Sequence, residues 1–205
     1  MLRDRDLSPD VARDYIHASA ELKREVAERC LGSIVAAARL IAHTFRSRGK
    51  LLLCGNGGSA ADCQHMAGEL VSRLTAEFAR PALPAIALTT DTSVLTAFSN
   101  DFGFDGVFER QVQALGRPGD VLIGISTSGG STNVIRAVGA ARAVQMHTVA
   151  LTGPKGRLKE LVDIAIVVPS DNVQHIQEAH LTVEHVLCHL VERDLFEADG
   201  ADDRR

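Results

Sequence analysis

Hydrophobic positions recur at helical spacing through the first fifty residues and then switch to short, uninterrupted runs. Ser8-Pro9-Asp10 reads as a cap followed by proline at the first helical position, and the spacing from Val11 to Cys30 predicts an opening helix. A second helix is predicted from Leu31 to Arg48, apolar on one side through Ile34, Ala37, Ala38, Ile41 and Phe45 and ended by Gly49. Beyond Lys50 the apolar runs are Leu51 to Cys54, Ala85 to Leu88, Val121 to Ile125, Thr148 to Leu151 and Ile164 to Val168. Each is bounded by turn residues and separated from the next by enough chain for a crossover helix, which predicts five buried parallel strands. A closing helix is predicted from about Asn172 to Leu195. The pattern is that of an α/β protein, a three-layer α/β/α sandwich with a five-stranded parallel sheet preceded by amino-terminal helices. Ligands of such sheets bind beyond the carboxyl ends of the strands.

With 205 residues, 45% of them hydrophobic and 23% charged, the chain can bury one substantial core. A single domain over residues 1–196 is expected, followed by a tail from Glu197 to Arg205 too polar to pack and expected to be disordered. The net charge of −4 provides no overall cationic field, so nucleic acid is not an expected partner and any phosphate should sit in a local pocket. The start, Met1-Leu2-Arg3-Asp4-Arg5-Asp6, lacks the apolar run of a signal peptide, and no later run reaches bilayer length. A cytoplasmic location without a membrane partner is therefore expected. Cys30, Cys54, Cys63 and Cys188 form no C-x-x-C pair and read as reduced, mostly buried thiols.

Two loops carry candidate binding chemistry. Gly55-Asn56-Gly57-Gly58-Ser59-Ala60 follows the first strand, where glycines let backbone N–H groups approach an anion or polyol. It also matches the loose dinucleotide pattern G-x-G-x-x-A, but the acidic residue required about twenty positions on, at the second strand's end, is absent: Glu77 comes too early and Asp91 too late. A nicotinamide enzyme is thus disfavoured. Ser126-Thr127-Ser128-Gly129-Gly130-Ser131 follows the third strand and opens a helix containing Val134, Ile135 and Val138. One serine would suffice for a helix cap. Several hydroxyls beside free N–H groups suit a phosphate monoester, held without a full cationic side chain.

The ionisable candidates lie on two helices. His65 and Glu69, four residues apart, share a helix face and can meet one metal ion or one substrate carbon, with Arg73 a further turn along. The closing helix offers Gln177 and His185, separated by a helical rise of about 12 Å, too far for joint ligation of a single ion. Either that helix begins after Gln177, or one of the two serves a neighbouring subunit.

At these stretches the sequence resembles the phosphoheptose isomerases of the sugar isomerase (SIS) superfamily. The resemblance rests on Cys54 to Ser59, His65 to Glu69, Arg80-Pro81, Pro84 to Leu88, Asn100-Asp101-Phe102-Gly103-Phe104, Gly119 to Ser131 and Ile176-Gln177-Glu178-Ala179-His180. It implies the SIS fold, with the SIS core at about 35–196, and isomerisation of sedoheptulose 7-phosphate to D-glycero-D-manno-heptose 7-phosphate, the first step of nucleotide-activated heptose biosynthesis. It implies substrate binding by Asn56, Gly57, Gly58, Glu69, Asn100, Asp101, Ser126, Thr127, Ser128, Ser131 and Gln177, with Glu69 and His185 catalytic. It further implies one zinc ion per subunit on His65, Glu69, Gln177 and His185, and a homotetramer with active sites shared between subunits. The chain departs from the family at His175, where members often carry arginine. An isomerase of another sugar phosphate shares all of these motifs. Relatives that keep the fold and bind a replication initiator without catalysis lack the acidic and histidine positions, whereas Glu69 and His185 are present here.

Overall fold

A computed structural model describes residues 8–76 and 78–197. Apart from Glu197, the polar tail expected to be disordered lies outside these residues, as do the charged first residues. Helix α1 (Pro9–Arg29) begins where the Ser8 hydroxyl accepts from the Val11 amide at 3.4 Å, with Pro9 in the first turn. Helix α2 (Leu31–Arg46) stops two residues before the expected end. The left-handed residue after it is Arg48, with φ of 62°, rather than Gly49. Gly49 is needed for close approach instead: a Cβ there would lie 2.8 Å from Thr44 Cγ2 and 3.2 Å from Asp120 Oδ1. Buried Asp120 accepts from the Lys50 and Arg117 amides, both at 2.9 Å, and pairs with the Lys50 ammonium. That carboxylate fixes the entries of two adjacent strands, and with them the register of everything beyond.

The strands are β1 (Leu51–Gly55), β2 (Ala85–Ala87), β3 (Val121–Ser126), β4 (His147–Thr152) and β5 (Ile164–Val167). They form one parallel sheet in the order β2-β1-β3-β4-β5. Between them run α3 (Gly58–Val71), α4 (Thr92–Phe102), α5 (Val107–Leu115), α6 (Thr132–Ala143) and α7 (Leu158–Leu161), and α8 (Val173–Phe196) closes the described chain. The crossover from β2 to β3 is two helices rather than one. Asp91 caps α4 by accepting from the Val94 amide at 3.0 Å, and Gly103, at φ of 87°, ends it before α5 begins.

Side chains alternate across the sheet and enter two apolar layers. Leu51, Leu53, Val121, Ile123, Ile125, Val149, Leu151 and Ile166 meet residues of α1, α2, α3 and α8 on one side. Leu52, Cys54, Leu122 and Ala150 meet α5, α6 and α7 on the other. Both faces are covered, which is why the strands read as continuous apolar runs rather than alternating ones. All four cysteines are free and buried, as expected. Because α3 packs on one face and α6 on the other, the connections from β1 and β3 diverge, which makes the gap between their ends the switch point where sheets of this kind bind ligands.

Candidate active site

In register, Gly55 of β1 sits beside Ile125 of β3, so the loops leaving these strands emerge level with one another at the switch point. A reciprocal amide pair joins them: Asn56 Nδ2 donates to Asn133 Oδ1 and Asn133 Nδ2 to Asn56 Oδ1, each at 2.9 Å. Asn133, 3% exposed in the first turn of α6, was not singled out from the sequence. Its only sequence cue is an amide beside the hydroxyl loop, and its role depends on a partner 77 residues away.

The hydroxyl loop turns at Gly129, where φ is 62° and a Cβ would lie 2.3 Å from the Lys155 carbonyl oxygen. Only glycine tolerates both conditions. The Ser126 hydroxyl lies 2.9 Å from that of Ser131 and 3.4 Å from that of Ser128, and Ser128 Oγ accepts from the Gly130 amide at 3.3 Å. Ser131 occupies the N-cap position of α6 yet makes no side-chain capping bond. Its hydroxyl turns toward Ser126, so capping does not account for this serine.

Helix α3 starts at Gly58, whose absent side chain admits Gln177: a Cβ there would lie 2.0 Å from Gln177 Nε2. Seven residues further on, about 10 Å along the helix axis, His65 meets α8. His65 Nε2 lies 2.8 Å from His185 Nε2 and 3.7 Å from Glu69 Oε1, the two rings edge to face at 4.9 Å. One ligand atom from each of His65, Glu69 and His185 lies within 4.8 Å of the other two. Two imidazoles and a carboxylate, partly open to solvent, match the donor set of a zinc site that keeps an open position.

The structure thus brings His65, Glu69 and His185 together within one chain and places Gln177 with Gly58 at the other end of α3. Because α8 is continuous from Val173, the alternative that it begins after Gln177 falls. Asn100 donates to Asp101 at 2.9 Å on the exposed end of α4, outside the network joining the two strand-end loops. Arg73 lies beyond α3, which stops at Val71, so it does not continue the His65–Glu69 face as the spacing suggested. His175 is buried, its ring edge-on to Tyr15 at 4.4 Å.

Behind the cluster the seam between α3 and α8 holds buried carboxyls that sequence reading missed. Glu184 is 1% exposed, with neither oxygen hydrogen-bonded among the described residues. Burial first, and the nearby Asp62 second, push it up to about 9, so it is a neutral acid at pH 7. Burial also raises Asp62, against a hydrogen bond from Gln177 and the proximity of His65, which both lower it. At the far end of α3, buried Arg80 donates to the Glu69 and Leu70 carbonyls, both at 2.7 Å, and pairs with Glu192 of α8. That contact fixes the turn carrying Glu69.

Residues 14–153 match the SIS domain family. The chain is 59% identical over 185 residues to a phosphoheptose isomerase of Roseiflexus sp. strain RS-1, covering 90% of this chain and 93% of that one. The chain belongs to the SIS domain family, among the phosphoheptose isomerases. Solved structures agree. A phosphoheptose isomerase from Neisseria gonorrhoeae superposes with a TM-score of 0.84 at 44% identity, over 89% of this chain and 97% of that one. One from Francisella tularensis gives 0.86 at 39% identity, over 90% and 97%. These relatives share the five-stranded parallel sheet with helices on both sides, and the chain is an enzyme of the isomerase class.

Proposed function

We propose that the chain interconverts sedoheptulose 7-phosphate and D-glycero-D-manno-heptose 7-phosphate at the switch point between β1 and β3, the entry reaction of nucleotide-activated heptose biosynthesis. The observation that carries this reading is a pair of strand-end loops joined by Asn56 and Asn133, one of them a hydroxyl loop whose N-cap serine makes no capping bond, together with helix α3, which leaves the other loop and brings His65 and Glu69 to His185 of α8. The hydroxyls of Ser126, Thr127, Ser128 and Ser131, with the first amides of α6, hold the phosphate as a remote handle. Asn56, Gly57, Gly58, Asn100 and Asp101 hold the polyol.

Ketose–aldose interconversion removes a proton next to the carbonyl, passes through an enediol and returns the proton to the neighbouring carbon. Glu69 is the carboxylate of the cluster, so the carbon-bound proton falls to it. His185 moves the oxygen-bound proton or assists ring opening. His65, Glu69 and His185 hold one zinc ion per subunit, which when bound supplies polarisation of a substrate oxygen. Gln177 lies too far along its own α8 to join them. We assign it to the polyol loop of its own chain, where its side chain lies over Gly58 and meets substrate, and the chain to a homotetramer with active sites shared between subunits. Residues 1–196 act as one SIS domain in the cytoplasm, a location compatible with the lack, among the described residues, of any helix long and apolar enough to cross a membrane.

Two measurements test this reading. Ser131→Ala is expected to raise KM for the heptose phosphate about tenfold, the worth of one hydrogen bond to a charged group, with a stability loss of about 1 kcal/mol from the bond to the Ser126 hydroxyl. An unchanged KM would remove the phosphate from this loop. Exhaustive chelation is expected to lower both turnover and Tm, by about 5–10 °C if zinc is supplied at 100 times its Kd, and zinc return should restore both. Unchanged rate and stability in metal-free protein would remove zinc from the site.

A further inference from the structure

The 126–131 loop does not stand alone; it is seated on the exit of β4. The Gly153 amide donates to the Thr127 carbonyl at 3.2 Å and the Leu158 amide to the Gly129 carbonyl at 3.0 Å. Gly129 presses so closely on this segment that a Cβ would lie 2.9 Å from Thr152 Oγ1, and Gly156 packs on Gly129 in the same way, a Cβ there lying 2.3 Å from the Gly129 carbonyl carbon. From below, α8 closes on the segment: Ile176 Cδ1 lies 2.9 Å from where a Gly153 Cβ would be. One turn along the same helix stands His180, fully buried, with neither ring nitrogen satisfied by a formed hydrogen bond among the described residues. Thr152 Oγ1 is buried and unsatisfied as well.

Burial pushes the imidazole down to about 4, against a smaller opposing pull from the Thr152 backbone, which therefore lies close to the ring. The ring is neutral at pH 7 and offers one donor and one acceptor. The Thr152 carbonyl already accepts from the Val168 amide at 2.8 Å, and a carbonyl oxygen has a second lone pair that a neighbouring ring N–H can meet. Two buried polar groups left over at one spot cost free energy unless they serve something. Here the spot lies directly under the loop that holds the phosphate.

We infer that His180 is a positioning residue for the phosphate loop, holding the Thr152 end of β4 as the platform on which Gly129 turns. The inference rests on the reading of the 126–131 loop as the phosphate site. His180 touches no substrate in this account. It sets the height and tilt of the loop, and its loss loosens phosphate binding without altering the proton transfer at Glu69.

The test is steady-state kinetics of His180→Leu, a side chain of similar bulk, with sedoheptulose 7-phosphate and with inorganic phosphate as competitive inhibitor. KM and the phosphate inhibition constant are expected to rise together, about tenfold, while kcat stays within about twofold of wild type. His180→Asn and His180→Gln place an amide near the positions of Nδ1 and Nε2 respectively, and one of them should recover most of the loss. Unchanged constants in His180→Leu, or a fall in kcat with unchanged constants, would overturn the inference. If the leucine variant does not fold, the amide pair carries the test: only one amide reaches Thr152, so their constants must differ, and wild-type constants in both overturn it. Ser131→Ala separates the two levels. Raised constants there with wild-type constants in the His180 variants sink this inference alone, whereas unchanged constants throughout sink the phosphate-loop reading and this inference with it.

Discussion

Glu69→Gln is expected to lower kcat by roughly 10²–10⁴-fold, the range spanned by a positioned acid–base group, while the Kd for sedoheptulose 7-phosphate stays within a few-fold of wild type. The substitution keeps the side chain's size and removes its ability to take a proton. With zinc held at saturation, because Glu69 is also one of its ligands in the proposed site, the fold should not respond. The Glu69 contact that secures the end of α3 is made by its carbonyl, which accepts from Arg80, and not by its carboxylate. In the proposed site the phosphate loop leaves a different strand, β3, so the remote part of the substrate should still bind. Turnover and calorimetric binding of the same preparation check the split. Activity within tenfold of wild type would assign the base elsewhere, and a parallel loss of affinity would make Glu69 a binding group only.

The largest loss of stability is expected at Arg80. Its side chain is 1% exposed, its partner Glu192 is 6% exposed, and its remaining N–H groups satisfy carbonyls at the end of α3. Arg80→Met fills much of the volume but leaves the Glu192 carboxylate buried without its counter-ion, a loss of about 3–5 kcal/mol. Chemical denaturation should show it as a lower midpoint with an unchanged slope. Adding Glu192→Gln should recover part of the loss, because it removes the stranded charge, and the double-mutant cycle reads the coupling directly. A loss below about 1 kcal/mol, the scale of an exposed ion pair, would contradict the buried geometry.

The sheet was legible because parallel strands covered on both faces leave continuous apolar runs, and the five predicted runs match the five strands to within a residue or two at each end. The two strand-end loops were legible because glycines and clustered hydroxyls are local signals. What the sequence hid are polar residues whose partners are remote. Nothing in the pattern marks Asp62, His180, Glu184 and Glu192 as buried, because periodicity alone assigns a polar helical position to solvent. Asn133 looked like an ordinary early helix residue until Asn56 faced it. Arg73 was misplaced because α3 ends at Val71, a boundary that no glycine or proline marks. Gln177 is the instructive case. Helix geometry alone said it could not share an ion with His185, and the continuous α8 with Gln177 over Gly58 upholds that separation within one chain.

The central claim is that a hydroxyl-held heptose phosphate loses and regains a carbon-bound proton at Glu69. Incubation of the zinc-loaded protein in deuterium oxide with sedoheptulose 7-phosphate, followed by proton NMR, tests it most directly, with a panel of hexose phosphates alongside. The account predicts deuterium at the carbon next to the carbonyl together with the aldose product, far faster with the heptulose phosphate than with any hexose phosphate and absent in Glu69→Gln. Saturable binding of the heptulose phosphate with no exchange and no aldose would contradict it.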